Sequence, residues 1–230
     1  MIQLLLGSLI LFQFQKPAVH VFYVRDCGHC MDILLEHIPA LQKKYAFTLK
    51  KYDIDILENL RILEQWEEHV TQIGDDLPVV FVGDSVFYGE TETREKLGPT
   101  INLLAAVRQP VNRTDTAVAS DTMPIDTAAH TEPVHLYYFY QTGCQGCDRS
   151  DVVLKHLAGS RAALIVHRYD ILDDSGKVFF EALAQHLDIP EDDRLVVPTI
   201  IIGSDLILKE NITLAALDSV VGTYVKGSIE

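Results

Sequence analysis

In the segment VFYVRDCGHC, residues 21–30, an aromatic and β-branched run leads directly into a pair of cysteines. The same arrangement returns in LYYFYQTGCQGC at 136–147, and the two pairs account for all four cysteines of the chain. Each apolar run predicts a β-strand, and the residues after each pair have helical periodicity. Both cysteine pairs are therefore expected at a turn from a strand into a helix.

The first cysteine of each pair, Cys27 or Cys144, is expected to be the reactive one. At a helix N-terminus, unsatisfied backbone N–H groups and the positive end of the helix dipole stabilise a thiolate, which lowers the thiol pKa. The second cysteine, Cys30 or Cys147, lies about one helical turn further on and is close enough to form a disulfide with the first. A cysteine pair can also be half of a zinc site, so one pair alone leaves both interpretations open.

Other parts of the chain repeat together with the cysteines. Tyr-Asp-Ile at 52–54 recurs at 169–171, with the shift of 117 (144 − 27) that separates the two cysteine pairs. LPVVFVG at 77–83 matches VPTIIIG at 197–203 with a shift of 120 (197 − 77). A recurrence over this length indicates a duplicated domain. Zinc ribbons separate their cysteine pairs by about 15–20 residues, whereas 113 residues (144 − 30 − 1) lie between the pairs here, which disfavours a shared zinc site.

The order of these features resembles the thioredoxin/glutaredoxin superfamily, specifically proteins with two tandem thioredoxin-like domains. The shared features are a strand that ends at Cys-x-x-Cys, a second strand, a proline that opens a third strand, and a glycine turn into a fourth. The resemblance covers roughly residues 18–108 and 134–226. It implies an α/β fold with a central mixed β-sheet flanked by helices in each domain, and redox-active disulfides in place of a bound cofactor or metal.

The resemblance also implies where a substrate binds. In this superfamily the proline is cis, lies across from the disulfide, and has neighbours whose backbone pairs with an extended substrate peptide. Leu77 and Pro78 match these positions in the first half, and Val197 and Pro198 match them in the second. The CGHC form of the first pair resembles the site of protein disulfide isomerases. Glutathione is a less expected partner, because neither half contains the family's Thr-Val-Pro.

Two family positions depart from the thioredoxin pattern and look more like glutaredoxin. The tryptophan that often precedes the cysteine pair is Asp26 in the first half and Gly143 in the second. The buried acid six residues ahead of the first cysteine is replaced by Val21 and by Tyr138. The sequence therefore leaves open which group deprotonates the resolving thiol.

His29 is the residue expected to tune the first pair. A protonated His29 beside Cys27 favours the thiolate and hence the reduced dithiol, which makes the disulfide a stronger oxidant. Gln145 and Gly146, between the cysteines of the second pair, carry no charge. We therefore predict the higher reduction potential for the first pair. The other histidines show no paired metal-ligand spacing and are interpreted as surface or packing residues.

Length and composition indicate two domains, because 230 residues suit two units of about 100 residues each. The expected segments are a hydrophobic N-terminal segment or signal peptide at 1–16, a CGHC domain at 17–108, a linker at 109–133 and a CQGC domain at 134–230. The linker is rich in Thr, Ala, Asp and Pro, and about 25 flexible residues span roughly 25–30 Å. Loosely tethered domains whose active sites can meet are therefore expected.

The N-terminal apolar run is too short to span a bilayer and is near the length of a signal-peptide core. No Lys or Arg precedes it and no clear cleavage site follows it, so an edge strand of the first domain is the alternative. An exported or N-terminally tethered protein outside the cytoplasm is the expectation, with a cytoplasmic location as the alternative.

Within each half the predicted order is strand, cysteine turn, helix, strand, helix, strand, strand and helix. In the first half, helices are predicted at about 28–44, 57–72 and 93–107, and Pro39 is expected to kink or end the first of them. Trp66, the single tryptophan of the chain, is expected to pack in the core.

Together these observations predict a thiol–disulfide oxidoreductase. Cys27 and Cys144 are expected to form mixed disulfides with cysteine-containing proteins, and Cys30 and Cys147 to resolve them. The alternatives are an electron relay that serves a membrane redox partner or cytochrome c maturation and, from a different class, a non-catalytic binding module or chaperone. The formal net charge of −14 argues against nucleic acid as a partner. Oxidases, isomerases and reductases share these residues, so the direction of electron flow stays open.

Overall fold

The computed structural model describes residues 16–106 and 133–227. The predicted N-terminal segment, apart from residue 16, and the predicted linker, apart from residue 133, lie outside the described residues. In the two described ranges, no helix combines the length and the apolar character that a membrane span requires.

The first domain alternates strands and helices. Its elements are β1 (Ala18–Tyr23), α1 (Gly28–Asp32), a π-helical turn (Ile33–His37), α2 (Ile38–Gln42), β2 (Thr48–Asp53), α3 (Leu57–Glu67), β3 (Val79–Val82), β4 (Ser85–Tyr88) and α4 (Gly89–Ala106).

The second domain repeats this order with a longer first helix and two short 3-10 turns. Its elements are β5 (Val134–Tyr140), α5 (Gln145–Ser160), β6 (Leu164–Asp170), α6 (Asp174–His186), a 3-10 turn (Glu191–Asp193), β7 (Thr199–Ile202), β8 (Asp205–Leu208), a second 3-10 turn (Lys209–Asn211) and α7 (Leu214–Gly227).

Each domain contains one four-stranded mixed sheet, with the order β2-β1-β3-β4 in the first domain and β6-β5-β7-β8 in the second. The pairs β2–β1 and β6–β5 are parallel, and the other pairs in both sheets are antiparallel. All four residues of β3 and of β7 are buried, as expected for strands that are covered on both faces. The predicted fold class, two tandem thioredoxin-like domains with helices around a central mixed sheet, is confirmed.

The strand directions bring three segments to one edge of each sheet. β1 and β2 are parallel and end at this edge, whereas β3 is antiparallel and begins there, so that Phe22 pairs with Val79. In the second domain Phe139 pairs with Thr199 in the same way. The cysteine turn, the loop after the second strand and the proline before the third strand therefore meet. We call this edge, formed in the first domain by residues 24–30, 54–56 and 74–78, the cysteine edge.

The helices of the first domain differ from prediction at three points. The first helix does not end at Pro39, because α1 continues through the π-helical turn into α2, and the wider turn accommodates a residue without an N–H group. α3 ends earlier than predicted, at Glu67. α4 begins earlier than predicted, at Gly89, because the Glu92 carboxylate accepts a hydrogen bond from the Tyr88 N–H at 2.8 Å and caps the helix start.

Trp66 packs against the core of the first domain, as the sequence predicts. It is partly buried, and its ring meets those of Phe22 and Phe81 edge-on, at centroid distances of 5.5 and 5.2 Å. Edge-on contacts between aromatic rings add to the stabilisation from buried area.

The two domains also pack against each other. One hydrophobic cluster includes buried residues of both, among them Leu63 of α3 and Leu217 of α7. Arg149 of α5 and Glu67 of α3 form a buried ion pair between the domains. The expectation of loosely tethered domains is therefore wrong. The composition of the linker indicated flexible chain, but it carried no information about complementary faces on the domains themselves.

Candidate active site

Each cysteine pair lies at a strand-to-helix turn and is closed as a disulfide. The Cα atoms are 5.3 Å apart in both pairs, within the range that a disulfide spans. Cys27 is the N-cap of α1 and Cys144 is the N-cap of α5. In each pair the Sγ of the first cysteine accepts a hydrogen bond from the backbone N–H of the second, at 3.2 Å. In the reduced state the same N–H group stabilises a thiolate on the first cysteine.

The two pairs differ in exposure. Cys27 and Cys30 are 3% and 0% exposed, and Cys147 is 4% exposed. Cys144, in contrast, is partly exposed. The second pair thus presents its first cysteine to solvent, and the first pair does not.

The residues expected to bind substrate lie at the cysteine edge of each domain. The Leu77–Pro78 and Val197–Pro198 peptide bonds are both cis. Each proline directly precedes β3 or β7, and its carbonyl accepts a backbone N–H from the residue after the next strand, at 3.0 Å in both domains. The structure therefore brings each proline to the edge that carries the cysteine pair. Peptide binding at this place stays a prediction.

His29 has a partner that the sequence analysis missed. Its Nδ1 lies 2.8 Å from Oε2 of Glu90 in α4, and Arg94 donates to the other oxygen of Glu90 at 2.7 Å. The hydrogen bonds from Arg94 and His29 hold the pKa of the Glu90 carboxyl below its usual range. A negative charge therefore lies beside the histidine that was expected to tune Cys27. No sequence signal identifies this contact, because His29 and Glu90 are 61 residues apart.

Tyr138 occupies the position at which thioredoxins have a buried acid. Its ring is fully buried, and its hydroxyl donates to the Cys147 carbonyl at 3.2 Å. Burial, together with the nearby Asp151 carboxylate, raises the pKa of Tyr138 above its usual range, so the hydroxyl is protonated at neutral pH. The Arg168 guanidinium lies 5.0 Å from the ring centroid. Tyr138 therefore holds the backbone of the resolving cysteine, but it does not act as its base. Val21 in the first domain has no polar side-chain atom at all.

The repeated Tyr-Asp-Ile motif has a role that the sequence analysis did not assign. Its aspartate, Asp53 or Asp170, ends the second strand and accepts with Oδ1 the backbone N–H two residues further on, at 3.1 and 2.9 Å. The Oδ2 atom of the same carboxylate contacts the side chain of the residue two positions before the first cysteine. Asp53 pairs there with Arg25 at 2.7 Å, and Asp170 accepts from the Thr142 hydroxyl at 2.5 Å. In both domains one carboxylate thus ties the loop after the second strand to the loop that carries the cysteines.

Asp170→Asn is expected to remove a part of the stability that depends on pH. Hydrogen bonds from Thr142 and from the Leu172 N–H hold the pKa of the Asp170 carboxyl below its usual range. The carboxylate therefore adds stability above the unfolded-state pKa of about 3.9, and this stability is lost as the pH falls through the lowered pKa of the folded state. Urea midpoints are expected to differ between wild type and variant at pH 7, and this difference is expected to shrink as the pH is lowered below about 3.9. Asp192→Asn, in an exposed loop, is the control, and a difference that keeps its full size at low pH contradicts the prediction.

In the described part of the chain, no group of three or more His, Cys, Asp or Glu side chains is arranged to hold a metal ion. Two histidines that the sequence left unrelated, His135 and His167, lie on the adjacent strands β5 and β6. Their Nδ1 and Nε2 atoms are 2.8 Å apart and their rings stack at 5.1 Å between centroids. Parallel strand pairing brings them together across 32 residues of sequence.

No protein-family model matches the sequence, and comparison with curated proteins gives no match either. Solved structures to which this chain is similar include a malarial protein, at 16% identity and a TM-score of 0.30. The match covers 41% of this chain and 99% of the malarial protein. The NTD_N/C domain of the alkylhydroperoxide reductase AhpF from Enterococcus faecalis (12%, TM-score 0.29) covers 90% of this chain and 92% of its own. A third match is to the first two thioredoxin domains of Saccharomyces cerevisiae Eps1p, at 15% identity and a TM-score of 0.27. It covers 85% of this chain and 82% of that structure. The fold assignment of this chain rests on its own sheet topology and cysteine turns.

Proposed function

We propose that the protein is a thiol–disulfide oxidoreductase that exchanges disulfides with cysteine-containing proteins. The observation that carries the proposal is the geometry of the cysteine turns. In both domains the first cysteine caps a helix, its Sγ accepts the N–H of the second cysteine at 3.2 Å, and the two residues are joined as a disulfide. A sulfur in this position is stabilised as a thiolate and is both a good nucleophile and a good leaving group.

The bonds that form and break in the reaction all join cysteine sulfurs of the protein and of the substrate. In the reducing direction, the Cys144 thiolate attacks one sulfur of a substrate disulfide, which breaks that bond and releases the other substrate sulfur as a thiolate. The Cys147 thiolate then attacks the Sγ of Cys144, which frees the reduced substrate and leaves the Cys144–Cys147 disulfide. The oxidising direction is the same sequence in reverse. Cys27 and Cys30 have the equivalent attacking and resolving roles in the first domain, toward a disulfide that reaches Cys27.

The direction of electron flow depends on the reduction potential of each pair. We propose a function like that of protein disulfide isomerases for the CGHC pair, and His29 is the basis for expecting the higher potential there. The Glu90 carboxylate, 2.8 Å from His29, offsets part of the positive charge. A redox titration of each pair, with the other pair replaced by serine, tests the order. A potential near about −180 mV or above favours an oxidase or isomerase, and one near about −270 mV favours a reductase.

Insulin-disulfide reduction tests the function itself. The intact protein, recycled by dithiothreitol, is expected to accelerate insulin precipitation above the rate with dithiothreitol alone. An unchanged rate, together with cysteine pairs that cannot be cycled between dithiol and disulfide, would favour the alternative of a non-catalytic binding module.

A further inference from the structure

The helix that carries the second cysteine pair, α5, lies across the cysteine edge of the first domain. Near its start the Arg149 guanidinium donates to the two carboxylate oxygens of Glu67, at 2.8 and 2.5 Å, and to the Gly74 carbonyl at 3.2 Å. The side chains of Arg149 and Glu67 are 2% and 3% exposed, so the pair is sealed between the domains. This contact fixes the start of α5 against the loop that leads into the cis-proline.

Further along, α5 contacts the loop after β2. Nε2 of His156 lies 3.0 Å from the Ile54 carbonyl oxygen, and Lys155 pairs with Asp55 at 2.6 Å. Asp55, and more weakly the Asp26 carboxylate next to the first cysteine pair, raise the pKa of Lys155. α5 therefore contacts loops on both sides of the first cysteine turn.

The position of α5 fits the difference in exposure between the pairs. α5 occupies the edge at which a substrate of the first domain is expected to bind, and Cys27 is 3% exposed. Cys144 is partly exposed at the start of the same helix. A protein substrate can therefore contact Cys144, whereas Cys27 is out of its reach as long as α5 stays in place.

Two consecutive residues of the first domain connect the two cysteine turns. Gly89 lies so near Gln145 that a Cβ atom on Gly89 would be 3.3 Å from the side-chain oxygen of Gln145. The next residue, Glu90, lies 2.8 Å from Nδ1 of His29. His29 is one of the two residues between the cysteines of the first pair, and Gln145 is one of the two residues between those of the second. The two turns thus lie on either side of a single dipeptide.

Gly146 marks another close approach. A Cβ atom at this position would lie 2.5 Å from Oδ2 of Asp75 and 2.8 Å from its Cγ, so a larger residue would have to displace the Asp75 side chain. Asp75 belongs to the loop that leads into the cis-proline of the first domain. The glycine of the second pair therefore lets its cysteine turn approach the first active site.

We propose, as an extension of the proposed function, that the two cysteine pairs exchange a disulfide within one chain. The Cys144 thiolate attacks Sγ of Cys27, the Cys27–Cys30 bond breaks, and Cys30 leaves as a thiolate. The Cys147 thiolate then attacks Sγ of Cys144, which forms the second disulfide and releases Cys27 as a thiolate. Two electrons pass from the second pair to the first, and the protons lost by one dithiol are balanced by those gained by the other. The second pair thereby connects the covered first pair to outside substrates, in either direction.

A variant that retains only Cys27 and Cys144, made by Cys30→Ser with Cys147→Ser, tests this step. Mild oxidation is expected to join the two cysteines within the monomer, with a yield that does not depend on protein concentration. Non-reducing peptide mapping and a count of free thiols give the readout. The matched control retains only Cys30 and Cys147, which lie one turn inside their helices, and it is expected to form no such cross-link.

Insulin reduction by the single-pair proteins separates this inference from the proposed function. If a single-pair protein is active while the Cys27/Cys144 variant keeps two free thiols or forms only dimers, the internal exchange is overturned and the proposed function stands. If the intact protein is inactive, the proposed function fails and the exchange fails with it. The protein with only the first pair is expected to be slower than the protein with only the second by a factor of about ten or more. Equal rates for the two single-pair proteins would argue against the inference that α5 blocks access of substrates to Cys27.

Discussion

Replacing Cys27 and Cys144 together by serine is expected to reduce disulfide exchange to the uncatalysed rate. A serine hydroxyl is not ionised at neutral pH and forms no mixed disulfide, so neither cysteine turn retains its nucleophile. Cys30 and Cys147 are not expected to replace the lost nucleophiles, because they lie inside their helices and lack the N-cap position that stabilises a thiolate. Insulin precipitation measures the effect, with dithiothreitol alone as the baseline.

The two single variants are expected to lower the rate of disulfide exchange by different factors. Cys144→Ser removes the partly exposed nucleophile and is expected to lower the rate by a factor of about ten or more, whereas Cys27→Ser is expected to cost less. Cys147→Ser is the matched control, because it retains the attacking sulfur and is expected to accumulate mixed disulfides with substrate. Catalysis at the wild-type rate in the double variant would contradict the assignment of both nucleophiles.

Arg149→Met is expected to separate the two domains. The change leaves the Glu67 carboxylate buried without its partner, and breaking a buried ion pair in this way costs about 3–5 kcal/mol. Because the pair lies between the domains, the variant can avoid this cost by undocking α5 from the first domain while both domains remain folded. The expected results are a larger radius of gyration in small-angle scattering and faster alkylation of Cys27 in the reduced protein.

Two further variants control for this prediction. Arg149→Met combined with Glu67→Met replaces both charges by apolar groups and is expected to restore most of the docking, because no unpaired charge is left behind. Lys155→Met removes an exposed member of the same interface and is expected to leave Cys27 protected. Alkylation of Cys27 at the same rate in wild type and in Arg149→Met would show that the ion pair does not hold α5 in place.

The fold and the chemical groups of the site could be predicted from local patterns in the sequence. The apolar runs before Cys27 and Cys144, the helical periodicity after them and the proline at the start of β3 and β7 are local patterns. Each depends on residues that are neighbours in the chain, and for this reason each could be predicted. Because the domain is duplicated, every pattern occurs twice, so a chance occurrence of the whole combination is disfavoured. The long separation of the two cysteine pairs also disfavours a shared zinc site.

The groups that surround the cysteines come from residues far apart in the chain, so they are known only from the packed structure. The contact of His29 with Glu90 spans 61 residues and that of Arg149 with Glu67 spans 82. Asp53 and Asp170 stand out in the sequence only as a repeat. The parallel pairing of β1 with β2 places Asp53 beside its cysteine loop, and that of β5 with β6 places Asp170 beside the other. The spacing of apolar residues indicates which face of a helix or strand is buried. It does not indicate which distant helix or strand packs against that face. The placement of α5 over the first active site is therefore a property of the packed domains, and the composition of the linker between them gave no indication of it.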